Sequence, residues 1–140
     1  MVVKRVLIIC TGNASRSQLA EGMINHFLAG RWLAFSAGSH FSGYVHPLAL
    51  AALRDLGIDP SGQVSKGLDQ FTDQPFDVVI TVCDNAAQYC PFWPGQGKVI
   101  HFPLPDPGDV EGTPEVRLDA FRQVRELIRT QLFPLLEAEE

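Results

Sequence analysis

Cys10 and Arg16 open and close the run Cys10-Thr11-Gly12-Asn13-Ala14-Ser15-Arg16, which is followed directly by Ser17. A thiol and a guanidinium at this spacing suit one chemistry, the binding of a tetrahedral oxyanion and its attack by sulfur. If the run is a loop between a strand and a helix, the backbone N–H groups of Thr11 to Arg16 curl around the anion. Gly12 permits positive φ in such a turn and Asn13 tolerates it. A helix beginning near Ser15 adds its positive end. Arg16 holds two oxyanion oxygens at once, and the Ser17 hydroxyl is placed to donate to the sulfur, so the same cradle favours a thiolate on Cys10. The bland alternative is a buried, inert cysteine followed by a chance arginine. No Gly-x4-Gly-Lys-Ser/Thr pattern occurs, so ATP is not the expected ligand.

Cys83 and Cys90 form a second constellation, seven residues apart. If the residues between them are helical, their Cα atoms lie roughly 10.5 Å apart. A disulfide needs about 7 Å or less, so oxidising this pair would require the intervening turn to unwind. Seven residues also return to nearly the same helical face, which leaves open two small apolar side chains packed inward. Together with Cys10 they supply a relay in which each thiol attacks the previous sulfur. The Cys-x6-Cys spacing is poor for zinc and no histidine lies in register with it, so no metal is expected. Asp106 in Asp106-Pro107 reads equally as a turn residue or a proton donor.

The elements that must carry these groups alternate along the chain. Val6-Leu7-Ile8-Ile9 reads as a buried parallel strand ending at Cys10. Leu19, Met23 and Phe27, beside Ala20, Ile24 and Leu28, form a helical stripe that stops at Gly30. Residues 32–37 are the second strand, and Pro47 and Gly57 bracket a helix packed through Leu50, Leu53 and Leu56. Residues 77–82 form a third strand that delivers Cys83 to its carboxyl end, and residues 98–102 a fourth. The last helix has Thr113 as cap, Pro114 at its first position and an inward stripe of Phe121, Val124, Ile128 and Leu132. Strands and helices in alternation predict one α/β domain over residues 1–140, a doubly wound four-stranded parallel sheet flanked by helices. Ligands of such folds bind beyond the carboxyl ends of the strands. Prolines at 91, 94, 103, 105 and 107 make the region from Cys90 to Gly112 largely loop, able to reach over that end.

A net charge of −5 and a pI near 5.3 argue against nucleic acid as a partner. No apolar run approaches the roughly 20 residues that cross a bilayer, and the N-terminus lacks a leader pattern, so a cytoplasmic protein is expected. Three cysteines are an odd number for a disulfide framework in a reducing compartment. His26, His40, His46 and His101 share no spacing, and Trp32 and Trp93 read as packing residues.

The stretch CTGNASRSQLAEG, with SAG at Ser36 to Gly38 and the Asp106-Pro107 pair, resembles the low-molecular-weight protein tyrosine phosphatase superfamily over nearly the whole chain. Within it, VCDNAAQYCP resembles the thioredoxin-coupled arsenate reductases, with Cys83 and Cys90 at their second and third redox positions. The resemblance implies that Cys10 attacks arsenate, with phosphate or sulfate as competing oxyanions, and that Asp106 protonates the departing oxygen. It implies that Cys83 and Cys90 carry the resulting disulfide to thioredoxin, and that no cofactor is bound. A monomer with weak phosphatase side activity is expected. Ser15 stands where these reductases often have a further cysteine. Some relatives bind potassium through residues matching Asn13, Glu21 and Ser36 plus an acidic residue, for which this chain has Lys66. Its ammonium is expected either to take the ion's place, pairing with Glu21 and bracing Asn13, or to be a solvated surface charge. Gly108 and Asp109 follow Asp106-Pro107 where phosphotyrosine phosphatases carry tyrosines, which favours a small inorganic substrate. The alternatives are a phosphatase for phosphate monoesters and a non-enzymic oxyanion sensor.

Overall fold

Strand β1 (Lys4–Cys10) lies inside the sheet, and its Val6, Leu7, Ile8 and Ile9 are wholly shielded from solvent. An unbroken aliphatic run suits a strand covered on both faces. The computed structural model describes residues 2–83 and 93–140. Strands β2 (Trp32–Gly38), β3 (Val78–Thr81) and β4 (Lys98–His101) join β1 in the order β2-β1-β3-β4, every pair parallel. The registers set Cys10 opposite Gly38 and Ile9 opposite Thr81. This is the four-stranded parallel α/β sheet that the sequence predicts.

Alternation along β1 divides the interior in two. Val6, Ile8 and Cys10 face a large core built with α1 (Arg16–Phe27), α2 (Pro47–Arg54) and α3 (Pro114–Leu127), through Leu19, Met23, Leu53, Phe121 and Val124. Leu7 and Ile9 face a smaller one with Ala37, Phe71, Phe76, Val79 and Trp93. Trp93 is thus a packing residue, its indole N–H donating to Gln96 O at 3.1 Å.

Two local expectations are corrected. α2 buries Ala49, Ala52 and Leu53, while Leu50 is only partly covered. The small alanines let the helix come close to its neighbours. The same closeness shows at Gly22 of α1, where a Cβ would meet Leu53 Cδ1 at 3.0 Å. The last helix is not uniform either. Its stripe of Phe121, Val124, Ile128 and Leu132 is buried as expected, and Thr113 Oγ1 accepts from Val116 N at 3.2 Å. However, residues Ile128–Leu132 widen into a π turn before α4 (Phe133–Ala138). Pro134 has no N–H to give and its ring crowds the carbonyl four residues back, and a wider turn relieves both. Among the described residues no helix is long and apolar enough to cross a membrane.

Candidate active site

The loop from Thr11 to Ser15 leaves the carboxyl end of β1 and enters α1. Its outward carbonyls are taken up by the next segment of chain. His40 N donates to Thr11 O, Ser42 N to Gly12 O and His46 N to Ala14 O, each at 2.9 Å, and Ser39 N reaches Cys10 O at 3.3 Å. With those carbonyls tied outward, loop amides are left for the concave side, and Asn13 N points at Cys10 Sγ from 3.2 Å. Ser15 occupies the cap position of α1 without capping it, and the first turn of α1 holds no acidic side chain. The helix's N-terminal amides therefore remain available to an anion.

Positive φ falls on Asn13 (49°), one of the two positions expected to accept it, and not on Gly12. Asn13 is fully buried and its amide is oriented by unambiguous donors. Lys66 N donates to its Oδ1 at 2.9 Å and Gln18 Nε2 does so at 3.0 Å. Its Nδ2 must then face Ser17 Oγ, 2.7 Å away. Ser17 Oγ, an acceptor there, lies 2.8 Å from Cys10 Sγ, and its hydrogen can turn to the sulfur when Cys10 is ionised. An ionised sulfur here would accept from both the Asn13 N–H and the Ser17 hydroxyl.

Arg16 is buried, with Nη1 donating to Leu104 O at 3.1 Å and Val82 O at 3.4 Å. Those carbonyls belong to the chain just beyond β3 and β4, so the sheet itself aims the guanidinium. Its Nη2 lies 3.7 Å from Asp106 Oδ2. The other Asp106 oxygen accepts from Gly108 N at 2.9 Å, capping the short 3-10 turn Pro107–Asp109. Asp106 is therefore a turn residue and also a carboxylate facing the loop. Cys10, Gly12, Ala14, Ser15, Arg16 and Asp106 line one cavity of about 50 Å³. That is the scale of a small oxyanion, far below the few hundred Å³ of pockets for drug-sized ligands.

Cys83 is a buried cysteine. Its neighbour Val82 donates its N–H to Ile9 O at 2.9 Å, so Cys83 follows the carboxyl end of the strand beside Cys10. Cys90 lies outside the described residues. Among the described residues no group of three His, Cys, Asp or Glu side chains is placed to hold a metal.

Lys66 pairs with Glu21 at 3.4 Å, as one of the two expectations has it. The bracing of Asn13 comes instead from the Lys66 backbone, while the ammonium donates to Val64 O at 2.8 Å. Glu21 Oε1 also accepts from Ser36 Oγ at 2.7 Å. A fixed ammonium and a hydroxyl thus already share one carboxylate oxygen of Glu21.

Several supporting residues escaped the sequence. Gln18 bridges Asn13 to Val64, Gln63 holds Gln18 in turn, and Ser65 Oγ reaches Gly12 O at 3.3 Å. None carries a spacing signal. Gly38 did have one, as part of SAG, and its reason is steric: a Cβ there would lie 2.5 Å from Thr11 O and 3.0 Å from Asn13 N.

The chain matches the low molecular weight phosphotyrosine protein phosphatase family over residues 5–139. It is 41% identical over 125 residues to an arsenate reductase of Halalkalibacterium halodurans, covering 89% of each chain. A solved structure described as an arsenate reductase in the phosphate binding state superposes with a TM-score of 0.76 at 31% identity, over 99% of this chain and 100% of that one. A thioredoxin-dependent arsenate reductase of Corynebacterium glutamicum is also similar, with a TM-score of 0.60 at 29% identity over 91% of this chain and 61% of that one.

Ser17→Ala removes the hydroxyl that can donate to an ionised sulfur and is expected to slow alkylation of Cys10 by iodoacetamide at neutral pH about tenfold. An unchanged rate would remove Ser17 from the site. Gly38→Ala should lower unfolding stability by about 1–3 kcal/mol in urea titrations, because backbone rather than a pliable side chain must move.

Proposed function

The chain belongs to the low molecular weight phosphotyrosine protein phosphatase family, and from that premise we propose that it reduces arsenate to arsenite. What carries the choice of reduction over hydrolysis is Cys83, a second buried thiol following the strand end next to Cys10, in a chain whose relatives include arsenate reductases matched over most of their length. The Cys10 thiolate attacks arsenic(V), forming a sulfur–arsenic bond, while Asp106 protonates the oxygen that leaves as water. Arg16 and the loop amides hold the remaining oxygens and their charge. The Cys83 thiolate then attacks Cys10 Sγ. The sulfur–arsenic bonding pair stays on arsenic, which departs as arsenite, and the two thiols become a Cys10–Cys83 disulfide.

Cys90 attacks Cys83 next, freeing Cys10 and forming Cys83–Cys90, which thioredoxin reduces with its own dithiol. The place of Cys90 in this cycle rests on its sequence position, and that of thioredoxin on the Corynebacterium relative. The protein acts as a single-domain cytoplasmic monomer that binds no cofactor.

Phosphate monoester hydrolysis is the second reading, and one observation favours it as a side activity: the set of Cys10, Arg16 and Asp106 is complete without Cys83. Comparing arsenite release, driven by thioredoxin, thioredoxin reductase and NADPH, with phosphotyrosine hydrolysis decides which reaction dominates.

Cys90→Ala should complete one turnover and then stall with a Cys10–Cys83 disulfide visible by mass spectrometry after digestion. Sustained thioredoxin-coupled turnover in that variant would refute the relay. Since Lys66 supplies a tethered ammonium beside Glu21, rates in potassium and sodium chloride at equal ionic strength are expected to agree. A strong preference for potassium would overturn this account of Lys66.

A further inference from the structure

His46 has no motif around it, yet four parts of the molecule meet on it. Its backbone N–H holds Ala14 O of the anion loop at 2.9 Å. Its Nδ1 accepts from Leu48 N at 3.1 Å and so caps α2. Its ring packs on Phe121 of α3, centroids 4.8 Å apart. The ring edge also borders the Asp106 turn. A methyl group on Gly108 would lie 3.9 Å from His46 Cδ2, 3.8 Å from Ser15 Oγ and 3.2 Å from Asp106 Oδ1, so the three side chains converge on one small space.

A ring nitrogen that accepts from a backbone N–H carries no proton, so the neutral ring keeps its hydrogen on Nε2. Protonation of Nδ1 turns that acceptor into a donor facing another donor, and the cap of α2 is lost. We propose that His46 is a positioning residue of this active site: its neutral imidazole caps α2 and thereby fixes the backbone N–H that holds Ala14 of the anion loop beside the Asp106 turn, and protonation loosens that hold. The catalytic half of this inference rests on the role given to Asp106 above.

The surroundings favour the neutral ring. Burial, and then Arg117 on α3, push the His46 pKa below the ordinary value of 6.5, opposed by Asp106 in the turn. Phe121, Ala14 and Leu48, which also contact it, are uncharged. Because folding lowers this pKa, the cap's contribution to stability is complete above 6.5 and is lost as pH falls through the folded-state value. The imidazolium would be pushed by Arg117 and drawn to Asp106, taking the carboxylate from its position beside Arg16.

His46→Asn supplies a short side-chain acceptor that does not titrate, and His46→Ala supplies none. The Leu48 amide resonance, the thermal midpoint, and kcat and KM for arsenate are followed for both variants and the unaltered chain, from about pH 8 to about pH 5. In the unaltered chain the Leu48 amide should shift as acid removes its acceptor, and the midpoint should fall by ~3–5 °C more than in His46→Asn. At neutral pH, His46→Ala should lose kcat about fivefold to tenfold with KM within about twofold, since its backbone N–H and the loop amides persist. His46→Asn should recover most of that loss. An acid-induced drop in midpoint in His46→Asn equal to that of the unaltered chain would overturn the proposal, as would full kcat in a folded His46→Ala. If the unaltered chain fails to reduce arsenate, the proposed function falls. The Leu48 titration and the midpoints need no turnover and still decide whether His46 is the pH-sensitive hold.

Discussion

The active site depends on one buried amide. Asn13 adopts a left-handed backbone at the floor of the loop, where a side chain that bonds locally is among the few that accept the conformation. The Lys66 N–H fixes which end of that side chain is oxygen. From that single fact the direction of the next bond follows, Asn13 Nδ2 to Ser17 Oγ, which lies beside Cys10 Sγ. A buried polar chain whose members bond one another is rigid. It holds the sulfur in place before any substrate arrives.

Charge is handled by the same economy. The protein is acidic overall, at −5, so its attraction for an oxyanion has to be local. Arg16 is buried and its guanidinium is aimed by carbonyls beyond β3 and β4, which makes the ends of the parallel sheet the frame of the anion site. Backbone amides complete it without adding net charge. Their carbonyls are neutralised on the outside by residues 39–46, the segment in which His46 ends. The Asp106 turn is attached to this frame through Arg16 on one side and borders His46 on the other. The thiol and the guanidinium, both on the loop from Cys10 to Arg16, and the carboxylate of the Asp106 turn are thus held by stretches of chain that share polar contacts.

Such a frame suits either hydrolysis or reduction, because both begin with sulfur attacking a tetrahedral centre. Reduction needs in addition a thiol that can reach the first sulfur. Parallel pairing of β1 with β3 brings the chain that carries Cys83 to the same edge of the sheet as Cys10. The proposed chemistry is in this sense a product of strand order: a cysteine 73 residues away in the chain is carried to the end of the strand paired with that of Cys10.

The sequence by itself determined the local things. The aliphatic run before Cys10, the helical stripes, the Thr113-Pro114 start of α3 and the Cys10–Arg16 loop are short-range patterns, set by side-chain period and by backbone preference within a turn or two. Lys66 beside Glu21 was also legible, through the family resemblance, although its backbone rather than its ammonium braces Asn13. Tertiary structure decided the rest. That Asn13 rather than Gly12 takes the left-handed turn depends on Lys66 and Gln18 holding its amide. That α2 packs on alanines depends on how near α1 and α3 approach. The reason for Gly38 is a carbonyl of another segment, and His46 matters only because Ala14, Phe121 and the Asp106 turn converge on it. Long-range hydrogen bonds and close approaches leave no period in a sequence, since the partners are dozens of residues apart and are brought together only when the sheet forms.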